Sequence, residues 1–200
     1  MRLALVGVVV ATITALVTWF AISISGNVAP AGEHVEVSGV IDERMLKHFR
    51  SQLQARPRAR FVLLNSPGGL VSTADKLRDL IVDRGLSTYV GKQCASACAL
   101  VFLAGYERVL RPGARIGFHQ YRVVRGRGTE QDARWAEIDD QDYMRRRGIS
   151  SAFIARAYAA SKKEMWYPPL AELGQSRYVT HVLAAGQVVP VGDYCTRNAC

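Results

Sequence analysis

Internal repeats and low-complexity tracts are missing from this 200-residue chain, and charge is modest: 22% of residues are charged and 49% hydrophobic. Those fractions exclude a disordered tail, a collagen-like chain and a coiled-coil rod. Cysteine is scarce; four residues are too few to frame a disulfide-dense fold. No H-x-x-x-H or C-x-x-C arrangement occurs, so the sequence supports no metal site. Acidic residues are outnumbered, 17 against 26 Lys plus Arg, which leaves +9. That balance suits an anionic partner, nucleic acid or a lipid surface. The arginines fall in three groups: Arg56, Arg58 and Arg60; Arg122, Arg125 and Arg127; Arg145, Arg146 and Arg147. No zinc-finger, helix-turn-helix or RNP pattern accompanies them, so they read as solvated faces rather than a nucleic-acid site.

Charge is absent altogether between Arg2 and Glu33. Leu3 to Ile24 is an apolar run whose helix would measure about 33 Å, enough to cross a bilayer. It exceeds the 7–15 apolar residues usual in a cleaved signal peptide. The expectation is therefore a membrane anchor over residues 3–25, followed by a linker over 26–33. Small residues at Ala29-Pro30-Ala31 keep cleavage open. Arg2 and the N-terminal amine, by the positive-inside rule, put the N-terminus in the cytoplasm and the domain outside it.

The remaining length suits one domain. Strand patterns over His34–Ile41, Phe61–Leu64 and Leu86–Val90 alternate with helical ones. Asp42 caps a helix running to about Ala55; Val71 to Arg84 and an apolar stretch from Ser96 to about Gly105 give two more. Arg108–Leu110 and Arg115–Phe118 read as short strands around Pro112-Gly113, with helices over Thr129–Arg147 and Ser150–Ser161 and a strand over Arg177–Leu183. This alternation predicts an α/β fold with a largely parallel sheet.

Three places at element ends carry chemistry-bearing residues. The turn Asn65-Ser66-Pro67-Gly68-Gly69 follows a strand, and its glycines let backbone N–H groups approach a cleft. In Gly91-Lys92-Gln93-Cys94-Ala95-Ser96-Ala97-Cys98 a strand passes into a helix whose first turn carries Ser96. A hydroxyl there either caps the helix or stands beside free N–H groups able to bind an oxyanion. Gly91 and Ser96 are too far apart for a G-x-S-x-G elbow. His119 ends a strand, where a side chain reaches a neighbouring loop.

Taken together, LNSPGGLVSTADKLRDLI, CASACALVFLAG and RIGFHQ, between Leu63 and Gln120, resemble the Clp protease proteolytic subunit and its relatives. The order matches, and the gaps of 27 residues from Gly69 to Ser96 and 23 from Ser96 to His119 fit with small loop deletions. The resemblance implies a ClpP/crotonase-like spiral of ββα units over residues 34–184, with 185–200 as a tail. It implies Ser96 as nucleophile, His119 as general base and then acid, and the N–H groups of Gly69 and Ala97 as oxyanion hole. Its third member, a carboxylate before an aromatic strand, aligns with Glu164 in Lys163-Glu164-Met165-Trp166-Tyr167; Asp132, Asp139 and Asp140 are exposed-looking alternatives. The chain departs from the family in a one-residue longer approach to Ser96, in flanking cysteines, in Tyr121 where Pro is usual, and in the anchor. An anchor also suits the signal peptide peptidase A group with its Ser–Lys dyad, for which Lys92, Lys162 and Lys163 are available.

The implied function is a membrane-anchored serine endopeptidase, self-associating, with no cofactor, metal or nucleic acid, acting on peptides outside the cytoplasm. A catalytically inactive scaffold on the same fold that binds a partner protein is the alternative, and a crotonase-like acyl-CoA enzyme ranks third. Cys94, Cys98, Cys195 and Cys200 allow three full pairings, among which sequence does not choose. A bridge near Ser96 would stiffen the nucleophile loop.

Overall fold

The structure, a computed structural model, describes residues 29–30, 32–123, 126 and 128–200. The expected anchor over 3–25 and half of the linker lie outside the described residues, as do Arg125 and Arg127. Among the described residues no helix is long and apolar enough to cross a membrane.

Strand β1 (His34–Ser38) alternates as its valines predict, with Val35 and Val37 turned into the core. Helix α1 (Glu43–Ala55) starts at Asp42, whose carboxylate accepts from the Met45 N–H at 2.9 Å, and buries Leu46, Phe49 and Leu53. Strand β2 (Phe61–Ser66) and helix α2 (Val71–Asp83) follow, α2 burying Ala74, Leu77 and Ile81. Strand β3 (Ser87–Ala95) runs directly into helix α3 (Ala97–Leu103), every residue of which is buried. Strands β4 (Arg108–Leu110) and β5 (Arg115–Gly117) precede a long helix α4 (Glu130–Arg146) and a short α5 (Ser151–Ala157). The chain closes with α6 (Leu170–Gln175), β6 (His181–Ala184), β7 (Gln187–Pro190) and α7 (Val191–Asn198).

The strands form one mixed seven-stranded sheet in the order β1-β2-β3-β4-β6-β7, with β5 paired to β3 off that path. All pairs are parallel except β6–β7. The fold is therefore α/β. Residues 185–200, read from sequence as a tail, form β7 and α7.

One irregularity positions the site. Leu64 pairs with Val90, but Ser66 pairs with Cys94, so β3 carries extra residues around Gly91-Lys92-Gln93. This bulge splits the neighbours of β3. Its first half pairs with β4 and its second half, Gln93 to Ala95, with β5. The sequence reading stopped this strand at Val90, because the bulged segment has no alternation.

Candidate active site

Ala95 pairs with Gly117, so the residues that follow each strand, Ser96 and Phe118-His119, leave the sheet side by side. The Ser96 N–H donates to the Gly117 carbonyl at 2.9 Å. Ser96 has φ +56° and ψ −131°, and its hydroxyl makes no capping bond to α3. The N-cap role open at the sequence level is thus not the one its side chain takes. A strand, a serine at positive φ and a helix make a sharp elbow that lifts Oγ clear of the backbone. Local sequence permits this elbow because Ala95 and Ala97 are small.

His119 is anchored on both sides. Phe118 and Trp166 exchange two backbone hydrogen bonds of 2.9 Å, and the Gln120 N–H donates to the Ala160 carbonyl at 3.1 Å. Phe118 also packs on Phe153, Trp166 and Tyr178 at ring separations of 4.9–5.7 Å. So held, His119 brings Nε2 to 2.8 Å from Ser96 Oγ, while Nδ1 lies 2.5 Å from the Gln120 carbonyl oxygen. A carbonyl only accepts, so Nδ1 carries the proton and Nε2 accepts from the serine hydroxyl.

The glycine turn lies across the same point. Gly68 has φ +101°, and a Cβ there would fall 2.7 Å from both the Ala95 carbonyl oxygen and Ser96 Cβ, and 3.1 Å from the Ala97 nitrogen. The turn is fixed from below by Ile41, whose N–H donates to Gly68 O at 2.9 Å and whose carbonyl accepts from Leu70 N at 2.8 Å. Gly69 itself can carry no side chain, since a Cβ would meet the Ile41 backbone. Neither the Gly69 N–H nor the Ala97 N–H, at the first position of α3, donates to another described group. Both stand beside Ser96, available to an anionic oxygen.

Two cavities open at Ser96. A groove of about 950 Å³ runs between the glycine turn and α4, lined by Val40, Gly69, Leu70, Ser96, His119 and Ala136 among others. A second, of about 20 Å³, sits behind Ser96 among Ala99, Leu100, Phe118, Met144, Tyr158 and Tyr178. By that measure a water needs roughly 10–15 Å³, so the space suits a methyl-sized group.

The structure does not bring Glu164 to His119. Glu164 is exposed and its side chain makes no hydrogen bond or ion pair among the described residues, even though Trp166, two residues on, lies beside Phe118. Asp132 is spent on a capping box with Thr129, and Asp139 is exposed. Asp140, expected at the surface, is buried at 3% exposure and accepts from the Tyr121 hydroxyl. No lysine reaches Ser96 among the described residues; Lys162 pairs with Glu130 at 2.6 Å. Cys94 bonds Cys98 and Cys195 bonds Cys200, so a disulfide flanks Ser96 on both sides, its sulfurs in the core. Among the described residues no three His, Cys, Asp or Glu side chains converge as a metal site. The residue that sequence reasoning missed is Glu137, which accepts from the Tyr121 N–H at 2.5 Å. No protein-family model matches the chain, and no curated protein matches it.

Proposed function

We propose that this chain is a serine peptidase. One observation carries the reading: a serine on a positive-φ elbow, 2.8 Å from a histidine nitrogen that lacks a proton, beside two unengaged N–H groups. As Ser96 Oγ attacks a scissile carbonyl carbon, His119 Nε2 takes its proton. The oxygen of the tetrahedral intermediate collects its charge beside the Gly69 and Ala97 N–H groups. His119 returns the proton to the departing amine, leaving an ester on Ser96. Water, deprotonated by His119, then hydrolyses the ester and restores the hydroxyl.

The substrate is an extended peptide lying in the groove, with a small residue such as alanine at the acyl position, because the cavity behind Ser96 admits a methyl-sized group. The finer fold reading is the ClpP/crotonase-like spiral, supported by the parallel β1–β4 array and by β5 set against the far half of β3. A membrane anchor at residues 3–25 with the domain outside the cytoplasm completes the proposal; two disulfides, which persist in oxidising compartments, support that side of the membrane. Self-association is supported by Trp135 and Ile138, exposed three residues apart on α4.

The test is a fluorophosphonate probe applied to membranes carrying the wild type, Ser96→Ala or His119→Ala. The wild type alone is expected to label. A peptide library should then favour Ala over Phe at the acyl position by about 10-fold or more. A folded wild type that stays unlabelled would move the reading to a partner-binding scaffold.

A further inference from the structure

His119 Nδ1 finds a backbone carbonyl where a carboxylate was expected. The amide that supplies this carbonyl has a second end. Its C=O belongs to Gln120 and its N–H to Tyr121, and that N–H donates to Glu137 Oε1 at 2.5 Å. The peptide bond is trans, so its C=O and N–H point in opposite directions. The two hydrogen bonds therefore sit at opposite ends of one amide dipole: imidazole, amide, carboxylate. A negative charge at the N–H end draws electron density toward the carbonyl oxygen, and bonds arranged in such a chain strengthen one another.

The surroundings suit this task. Glu137 is half-buried on α4, and burial is the main influence raising its carboxyl, opposed by the charges of Lys162 and His119 and reinforced by Glu130. His119 is thus close enough to act on it. One turn along α4, Asp140 takes the Tyr121 hydroxyl, so the helix grips Tyr121 by backbone and ring. The ring of Tyr158 also packs on Tyr121, at 6.1 Å.

We propose that Glu137 is the positioning acid of this site: through the Gln120–Tyr121 peptide it orients His119 and stabilises the imidazolium formed when Ser96 gives up its proton. The inference rests on the serine-peptidase reading for its catalytic meaning, though the electrostatic link does not depend on turnover. Glu137 does not touch the reacting atoms, and a simple staple for Tyr121 is the rival role.

Glu137→Gln separates the two, because the amide side chain keeps an oxygen for the Tyr121 N–H and loses the charge. On the full chain in detergent, kcat is expected to fall on the order of 10-fold with KM unchanged, the scale on which outer partners of a histidine act. The acid limb of kcat/KM against pH should move to lower pH. The Asp140 carboxyl is itself pushed up to about 7, so both profiles are taken in an Asp140→Asn background. The second readout needs no turnover: the ring-proton NMR titration of His119 in Ser96→Ala, with and without Glu137→Gln, where the added substitution should shift the midpoint to lower pH. An unmoved midpoint, or wild-type kinetics in Glu137→Gln, would overturn the inference and leave a staple. A shifted midpoint in a protein whose wild type resists the probe would support the link and overturn the peptidase reading instead.

Discussion

Ser96 and Gly68 hold backbone angles that most side chains avoid, φ +56° and φ +101°. A non-glycine residue at such angles costs about 1–3 kcal/mol and persists only where its surroundings enforce it. Around Ser96 the enforcement is visible: the Gly117 carbonyl holds its N–H, and the Cys94–Cys98 bond ties the strand before it to the helix after it. Gly68 has no such margin, because a Cβ would collide with the Ala95 carbonyl and Ser96 Cβ together. Gly68→Ala is therefore expected to lose about 1–3 kcal/mol of stability and to abolish probe labelling while far-UV circular dichroism stays native. Labelling at the wild-type rate would show that the turn does not govern the elbow. At this scale the sequence was informative for residues in short, ordered motifs: the glycine turn, Ser96 and His119 all stand at element ends. Glu137 was not legible, because its contact is to a backbone N–H sixteen residues away and leaves no motif.

Among the elements, α4 is docked by a polar contact as well as an apolar one. Only Asp140 and Met144 are buried along its length. Arg78 on α2 meets Asp140 at 3.1 Å and Asp75 at 3.2 Å, and lies over the Tyr143 ring at 4.3 Å. Burial, with the nearby charge of Asp75 adding to it, pushes the Asp140 carboxyl up to about 7 despite Arg78. The unfolded chain releases this proton near pH 4. Between about pH 4 and 7 the folded protein thus binds more protons than the unfolded one, and stability falls as pH rises through that window. Urea midpoints measured from pH 4.5 to 8 should decline, and Asp140→Asn should flatten the decline; an equal slope in the variant would place the cause elsewhere. A helix with a cap and a clean apolar stripe was legible in advance: Asp42 marks the start of α1, and Leu46, Phe49 and Leu53 mark its buried face. The end of the chain was not. A strand was expected from Arg177, but Arg177 has φ +64° just past α6, and β6 begins only at His181. Tyr178 and Val179 are buried by packing before the sheet resumes, a tertiary effect that alternation alone does not reveal.

For the molecule as a whole, the last sixteen residues complete the sheet. β7 covers β6 along Val182 and Leu183, and α7 seats Val191 against Gly174 of α6. A chain ending at Ala184 would leave β6 as a bare edge with buried apolar residues beside it, a template for pairing with other chains. Such a truncation is expected to scatter light and to elute in the void volume where the full chain does not; a monodisperse truncated protein would show that this segment is dispensable. The buried disulfide at the nucleophile has a different consequence. Both sulfurs are fully enclosed, at 0% exposure, so a thiol in solution reaches them only when the β3–α3 junction opens. How slowly a mild reductant consumes this bond, compared with Cys195–Cys200, which joins half-buried Cys195 on α7 to the exposed Cys200 beyond it, therefore gauges the local opening free energy at Ser96 itself. The protein carries its own clock for the rigidity of the elbow that holds Ser96.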